Sequence, residues 1–311
     1  MKRRDWLKTI GMASCLLPFG MSGIQVPSLA NAGRKKAITI AHITDIHVQP
    51  GLRAPKGLAK CFNHLQSLPD KVELILNGGD CIMDALSRDK STVAKQWKVW
   101  NKVVENECSL KMVNCIGNHD IWAAGEKNDQ LYGKNWAKEK LQLEKGYFSF
   151  DQAGWHFIVL DSVQLKAEGG YIAKLDEEQF DWLKTDLRKV PDRTPVLVLS
   201  HIPIVSAAAF FDGDRRKNGG WQIPGSFVHM DANEITDLFY KHKNVKVCLS
   251  GHLHLLDKVE YNGITFLCNG AVCGNWWNGS YKETKPGYSV LNLYDDGSFD
   301  HTYTNYRNTQ A

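Results

Sequence analysis

Residues 248–257 read CLSGHLHLLD. A short apolar run, Val245 to Leu249, stops at Ser250-Gly251. Two histidines follow with one residue between them, His252 and His254. In extended backbone, side chains at i and i+2 point to the same side. The pair would aim two ring nitrogens at one point just past a buried strand, which suggests a metal. Two histidines alone establish no site, so the question is whether other strands end in the same way.

They do. Outward from this stretch, short apolar runs alternate with helical patterns. Strands are expected at 37–43, 74–76, 111–115, 147–151, 155–160, 195–199 and 245–249. Helices are expected at 56–67, 90–104, 130–140, 176–189 and 233–241, with Asp176 as an N-cap and Gln179 three residues on. Asp45-Ile46-His47 follows the first strand and Asn77-Gly78-Gly79-Asp80 the second. Gly117-Asn118-His119-Asp120 follows the third, Ser200-His201 the run at 195–199, and Gly251-His252-Leu253-His254 the last. Five strands thus deliver a metal-capable side chain just beyond their carboxyl ends, the edge where open α/β sheets bind ligands. Past His254 the style changes to β hairpins over 255–303, turning at Asn262-Gly263 and at Asp295–Ser298. An α/β protein with layered sheets and helices outside satisfies both halves.

This ordered set resembles the calcineurin-like metallophosphoesterase family: Asp45-x-His47, Gly79-Asp80, Gly117-Asn118-His119-Asp120, His201 and Gly251-His252-x-His254, spread over residues 37–254. The resemblance implies a four-layer αββα sandwich over 37–311 as a single domain. It implies two divalent metals, one held by Asp45, His47, Asp80 and His254, the other by Asp80, Asn118, His201 and His252. Asp80 would bridge them, because one carboxylate has two oxygens and can span two cations. Two metals roughly 3.5–4 Å apart can grip a phosphate and make hydroxide from water. Mixed imidazole and oxygen donors suit Mn, Fe or Zn better than Mg or Ca. The catalytic pair implied is His119, which would meet the phosphate and stabilise or protonate the leaving oxygen, and Asp120, which would orient its ring.

Departures within the family narrow the reading. Purple acid phosphatases carry a tyrosine three residues after the bridging Asp, where this chain has Met83, and lack a histidine at the position of His47. The pattern looks more like the cyclic-nucleotide and general phosphodiesterase branch. A small phosphodiester is therefore the expected substrate. A phosphomonoesterase is the alternative, and a non-catalytic scaffold is the alternative from another class.

Two further regions are candidates for choosing the substrate. The insertion at 203–231 is longer than an ordinary connection and carries Arg215 and Arg216, cations for an anionic group. The stretch NGAVCGNWWNGS, 269–280, offers Asn275, Trp276 and Trp277, with adjacent tryptophans able to line a pocket or to plug the core.

Composition bounds the rest. The chain has 311 residues, 43% hydrophobic and 23% charged, with a formal net charge of +4, which reads as globular. Lys2, Arg3, Arg4 and Lys8 against Asp5 put +3 of this in residues 1–32. A nearly neutral body speaks against nucleic-acid partners. Residues 1–32 read as a signal peptide, with a basic start, no charge from Thr9 to Gly33, and a small-residue end, Ala30-Asn31-Ala32. RRDWLK resembles the twin-arginine signal. Export to the periplasm is expected, with no stable membrane span; an uncleaved anchor and lipidation at Cys15 are the alternatives. Seven of the eight cysteines lie beyond this segment, without a CxxC pair, and read as buried free thiols.

Overall fold

The computed structural model describes residues 33–307; the export, anchor and lipidation readings of residues 1–32 fall outside them. Chain order is β1 (Lys36–Ile43), α1 (Arg53–Gln66), β2 (Leu74–Asn77), α2 (Lys90–Glu107), β3 (Met112–Asn114), α3 (Asn135–Leu141), β4 (Phe148–Gln152), β5 (Trp155–Leu160), β6 (Val163–Leu165), β7 (Tyr171–Ala173), α4 (Glu177–Lys189), β8 (Val196–Ser200), β9 (Arg216–Lys217), β10 (Gly220–Trp221), α5 (Ala232–Lys241), β11 (Val245–Ser250), β12 (Asp257–Tyr261), β13 (Ile264–Cys268), β14 (Tyr288–Tyr294) and β15 (Phe299–Thr304). One sheet runs β15-β14-β1-β2-β3 and the other β12-β13-β11-β8-β5-β4. The motif-bearing strands are parallel within each sheet, so all their carboxyl ends meet at one rim.

Period-two alternation builds the layers. Ile38 and Ile40 of β1, Phe157 and Val159 of β5, Leu197 and Leu199 of β8, and Val247 and Leu249 of β11 pack between the two sheets. The alternate residues of β8, Val196 and Val198, face outward onto Leu183 and Leu187 of α4 and Ile235 and Phe239 of α5. On the other side, Ala41 and Ile43 of β1 meet Leu58 and Phe62 of α1 and Trp97 and Trp100 of α2. Helix, sheet, sheet, helix is the expected αββα sandwich. Among the described residues, those from Lys35 to Arg307 belong to one compact unit.

The differences at element ends have local causes. Helix α1 begins at Arg53, before Pro55, because a proline in the first turn removes an N–H that has no helical partner there. Helix α3 begins only at Asn135, because Trp122 and Gly133 pair backbone to backbone and hold the preceding residues in a loop. Asp176 caps α4, its carboxylate accepting from the Gln179 amide at 2.8 Å. Asn262 and Gly263 both take positive φ, 54° and 80°, the geometry of a tight hairpin turn. The hairpin β6–β7 and the short β9–β10 within the insertion were not expected from the sequence. All seven cysteines beyond the N-terminal segment are free thiols. No described helix is long and apolar enough to cross a membrane.

Candidate metal centre

The rim loops are tight. Asp45 and His47 hang after β1, Asp80 after β2, and His252 and His254 after β11. These five residues all have left-handed backbone, with φ of 54°, 48°, 53°, 69° and 57°. For non-glycine residues such φ values are strained and concentrate at functional sites. The two histidines of the opening stretch are therefore not side chains of an extended strand. They lie past the end of β11 in coiled backbone, and they serve two places, His254 beside His47 and His252 beside His201. Chain packing leaves no room for larger residues at two motif glycines. A Cβ on Gly117 would stand 2.1 Å from Asp80 Oδ1, and one on Gly251 2.2 Å from Asp45 Oδ2.

Asp80 is the hub. Its Oδ1 accepts from the His119 amide at 2.7 Å. Its Oδ2 stands 3.6 Å from His47 Nε2 and 3.4 Å from His201 Nε2. On one side, His47 Nε2 and His254 Nε2 face each other at 3.1 Å, and Asp45 Oδ1 lies 3.4 Å from the latter. On the other, His201 Nε2 faces Asn118 Oδ1 at 3.1 Å, and Asp80, His201 and His252 offer ligand atoms within 4.8 Å of one another. The seven residues expected as ligands thus gather as two groups that share Asp80.

The donor set fits cations. His201 Nδ1 donates to Gly78 O at 2.8 Å and His254 Nδ1 to Gly274 O at 2.7 Å. A carbonyl only accepts, so each Nδ1 carries a proton, and in its neutral form each ring would turn a bare Nε2 inward. Those lone pairs meet other acceptors, an arrangement that a proton or a metal must reconcile. Asp45 makes the same point: Oδ2 accepts from Thr44 Oγ1 at 2.7 Å and the His252 amide at 2.9 Å, while buried Oδ1 has no hydrogen bond. Titration follows. Burial drives His47 down to about 3 and His252 to about 4. Burial would lower His201, but the charge and hydrogen bond of Asp80, the charge of Asp45 and the bond to Gly78 O together push it up to about 9. A divalent ion bound at Asp80 would displace the proton that these carboxylates favour on His201.

His119 packs edge-on against the His47 ring, centroids 4.7 Å apart, and its buried Nδ1 makes no hydrogen bond. Asp120 does not orient that ring. Its turn folds the carboxylate back under the Asp80 loop, where it accepts from the amides of Cys81 at 2.8 Å, Ile82 at 3.3 Å and Gly117 at 2.9 Å. Asp120 is a brace for two motif loops, not a partner of His119. Burial, with repulsion from Asp80, pushes its carboxyl up to about 7.

The expected substrate residues divide. Trp276 is 38% exposed and stacks on His254 at 4.6 Å, so it faces the centre. Trp277 does not. It is 6% exposed, donates Nε1–H to His47 O at 3.0 Å and packs on Gly57 of α1; it plugs the core behind the loop. Arg215 lies over the Phe227 ring at 4.2 Å, and Phe227 meets His252 edge-on at 6.1 Å. Arg216 is turned away, exposed and paired with Asp214 at 3.1 Å. Asn275 serves its own turn, the backbone joining it to Gly279 and Asn278.

Sequence reasoning missed the other rings of the mouth. Tyr171 of β7 stands 6.1 Å from His252, and Tyr281 stands 5.8 Å from both His254 and Trp276. No motif marks either tyrosine. Tyr281 also donates to Asp212 of the insertion, latching the two mouth segments together.

Residues 38–256 match the family model described as calcineurin-like phosphoesterase. A 3′,5′-cyclic-nucleotide phosphodiesterase from Nostoc sp. is 23% identical over 276 residues, covering 85% of this chain and 91% of that protein. A 3′,5′-cyclic adenosine monophosphate phosphodiesterase from Haemophilus influenzae is 24% identical over 275 residues, covering 85% and 88%. Among solved structures, a dimetal phosphatase from Danio rerio superposes with a TM-score of 0.64 at 14% identity, covering 88% of this chain and 97% of that one.

Proposed function

This chain belongs to the calcineurin-like phosphoesterase family and is a hydrolase of phosphate esters, and on that premise we propose that it cleaves a small phosphodiester, of the kind exemplified by cyclic nucleotides, at a centre of two divalent metals. Asp45, His47, Asp80 and His254 would hold one ion, and Asp80, Asn118, His201 and His252 the other, with Mn, Fe or Zn as the elements this donor set suits. When bound, the pair supplies Lewis acidity toward the phosphoryl oxygens and toward the attacking water. The protein does the rest. Gly78 O and Gly274 O fix the His201 and His254 tautomers. Asp80 spans the two groups. His119, anchored through its amide on Asp80, carries a proton to the leaving oxygen.

The observation that favours a diester is the mouth. Tyr171, Phe227, Trp276 and Tyr281 ring the centre, and Arg215, which pairs with Asp212 at 3.6 Å, adds a guanidinium beside them. A diester carries one negative charge and an organic group on each side, which aromatic faces receive well. Similarity to cyclic-nucleotide phosphodiesterases along most of both chains supports the same reading. Hydrolysis of bis-p-nitrophenyl phosphate against p-nitrophenyl phosphate, on metal-quantified protein, tests it. A large preference for the diester is expected; preference for the monoester would overturn it. Export is part of the proposal, and an N-terminus at Gly33 in periplasmic protein would support it, while an intact residue 1–32 segment would count against cleavage.

A further inference from the structure

Cys273 is a buried free thiol, as expected, and it lies at the edge of the centre. Its sulfur and one nitrogen each of His47 and His254 stand within 4.8 Å of one another, and it is the one cysteine in any such group among the described residues. It is fully buried. Other thiols in this part of the molecule have different neighbours: Cys81 Sγ accepts from Asn77 Nδ2 at 3.1 Å, and Cys115 Sγ donates to Leu160 O at 3.3 Å. The hydrogen bond of Cys273 runs to Gly274 O at 3.4 Å, an oxygen already taken by His254 Nδ1 at 2.7 Å. That is a weak hold on the sulfur.

A second observation points to a cation site in this neighbourhood. Asp45 Oδ1 is buried, has no hydrogen bond, and points at His254 Nε2 from 3.4 Å. Backbone ties keep the cysteine in place, since its amide donates to Asp45 O at 3.2 Å and that of Val272 to Thr44 O at 2.9 Å. Trp276 roofs the pair of imidazoles, 4.6 Å from His254 and 6.0 Å from His47, and lowers the polarity around them.

We propose that Cys273 is a sulfur ligand to the metal on the His47–His254 side, so that the two metal positions are chemically unequal. This rests on the two-metal reading above and goes beyond its set of nitrogen and oxygen donors. Donors on one zinc-sized ion stand roughly 3.5 Å apart, given bonds of about 2.0–2.3 Å, and Sγ already lies within 4.8 Å of both nitrogens. As the metal–sulfur bond forms, the thiol proton leaves to solvent, one proton per ion. A thiolate favours zinc, cobalt, iron or cadmium over manganese or magnesium. Cys273 would direct a thiophilic ion to its own side and leave the Asn118–His201–His252 side to a harder one.

Cobalt(II) titration of metal-free protein tests this spectroscopically. The expected result is a sulfur-to-cobalt charge-transfer band in the near ultraviolet, present in the wild type and in Cys81→Ser and lost in Cys273→Ser while bound cobalt stays equal. Cys273→Ser is near-isosteric; a thermal melt with Cys273→Ala alongside separates ligation from misfolding. Cobalt bound with visible ligand-field bands but no charge transfer in the wild type would overturn the sulfur ligand and leave the two-metal reading standing. A band that survives in Cys273→Ser would also overturn it. Failure to bind cobalt at all would bring down both.

Discussion

The floor of the centre and its mouth are built from different material. The floor is polar and shut away: Asp45, His47, Asp80, Asn118, His201 and His254 are each at most 3% exposed, and their loops are fastened to neighbouring backbone. The mouth is aromatic and partly open, made by β7, the insertion and the 269–282 loop, and latched through Tyr281 and Lys282, which both reach Asp212 of the insertion. A reacting group must be held within a fraction of an ångström, whereas a recognition surface must admit and release a ligand. Burial with many backbone ties suits the first task; stacked rings suit the second. The difference predicts that floor substitutions reduce turnover itself and mouth substitutions change which substrate is turned over.

The sharpest break would come at the hub. Asp80→Ala should reduce hydrolysis to background and lower bound metal at both positions, read by elemental analysis; full metal occupancy would show that Asp80 is not shared. His119→Ala should lower kcat by about 10²–10⁴-fold for esters with poor leaving groups. For p-nitrophenyl esters, whose leaving group needs no proton, the loss should be much smaller, and equal losses would remove the acid role. At the mouth, Arg215→Ala should raise KM about 10-fold, as loss of one charge-assisted hydrogen bond would, with kcat nearly unchanged. A collapse of kcat instead would move Arg215 to the floor. Tyr281→Phe deletes only the tyrosine's part of the latch to Asp212, about 1 kcal/mol, and should speed amide exchange in 205–231 without altering exchange at the rim loops.

Far from both regions, His156 gives a small pH-dependent effect that should leave floor and mouth alone. Burial alone would lower its pKa, but hydrogen bonds to Asp186 and Asp151, at 2.9 and 2.7 Å, raise it. Its folded value lies above the unfolded one, so the stabilisation is full below the ordinary histidine value and fades as pH rises through the folded value. The melting temperature of His156→Gln should fall below that of wild type at pH 6 by a few degrees, roughly 1 kcal/mol, and the gap should narrow at pH 9. A constant gap would mean lost packing only.

The floor was readable in the sequence because strand ends and ligand types coincide: an apolar run followed by Asp, His or Asn is visible in one dimension, and five repeats of it define a rim. Layered sheets followed from apolar runs alternating with helical patterns, and their αββα order from the family resemblance. What was not readable depends on the direction of a side chain. Trp276 and Trp277 are neighbours with the same chemistry, and only the left-handed turn that holds them, φ 44° and 70°, sends one to the centre and the other to the core. Asp120 carries a motif letter, yet the three-residue turn bends it toward amides. Cys273 looks like any small apolar residue until the loop brings it beside two histidines from distant strands. The pairing of β1 with β14, joined by some 250 residues of chain, has no local trace at all.

The left-handed backbone at Asp45, His47, Asp80, His252 and His254 has a consequence for descent. Each of these side chains costs about 1 kcal/mol of conformational strain where it stands, and glycine would relieve it. A lineage that stopped using the centre would be least free at Asp45 and Asp80, whose carboxylates accept from the His252 and His119 amides, and freer at the histidines. The five side chains standing together are what a working centre requires, and their strain is legible in backbone angles without an alignment.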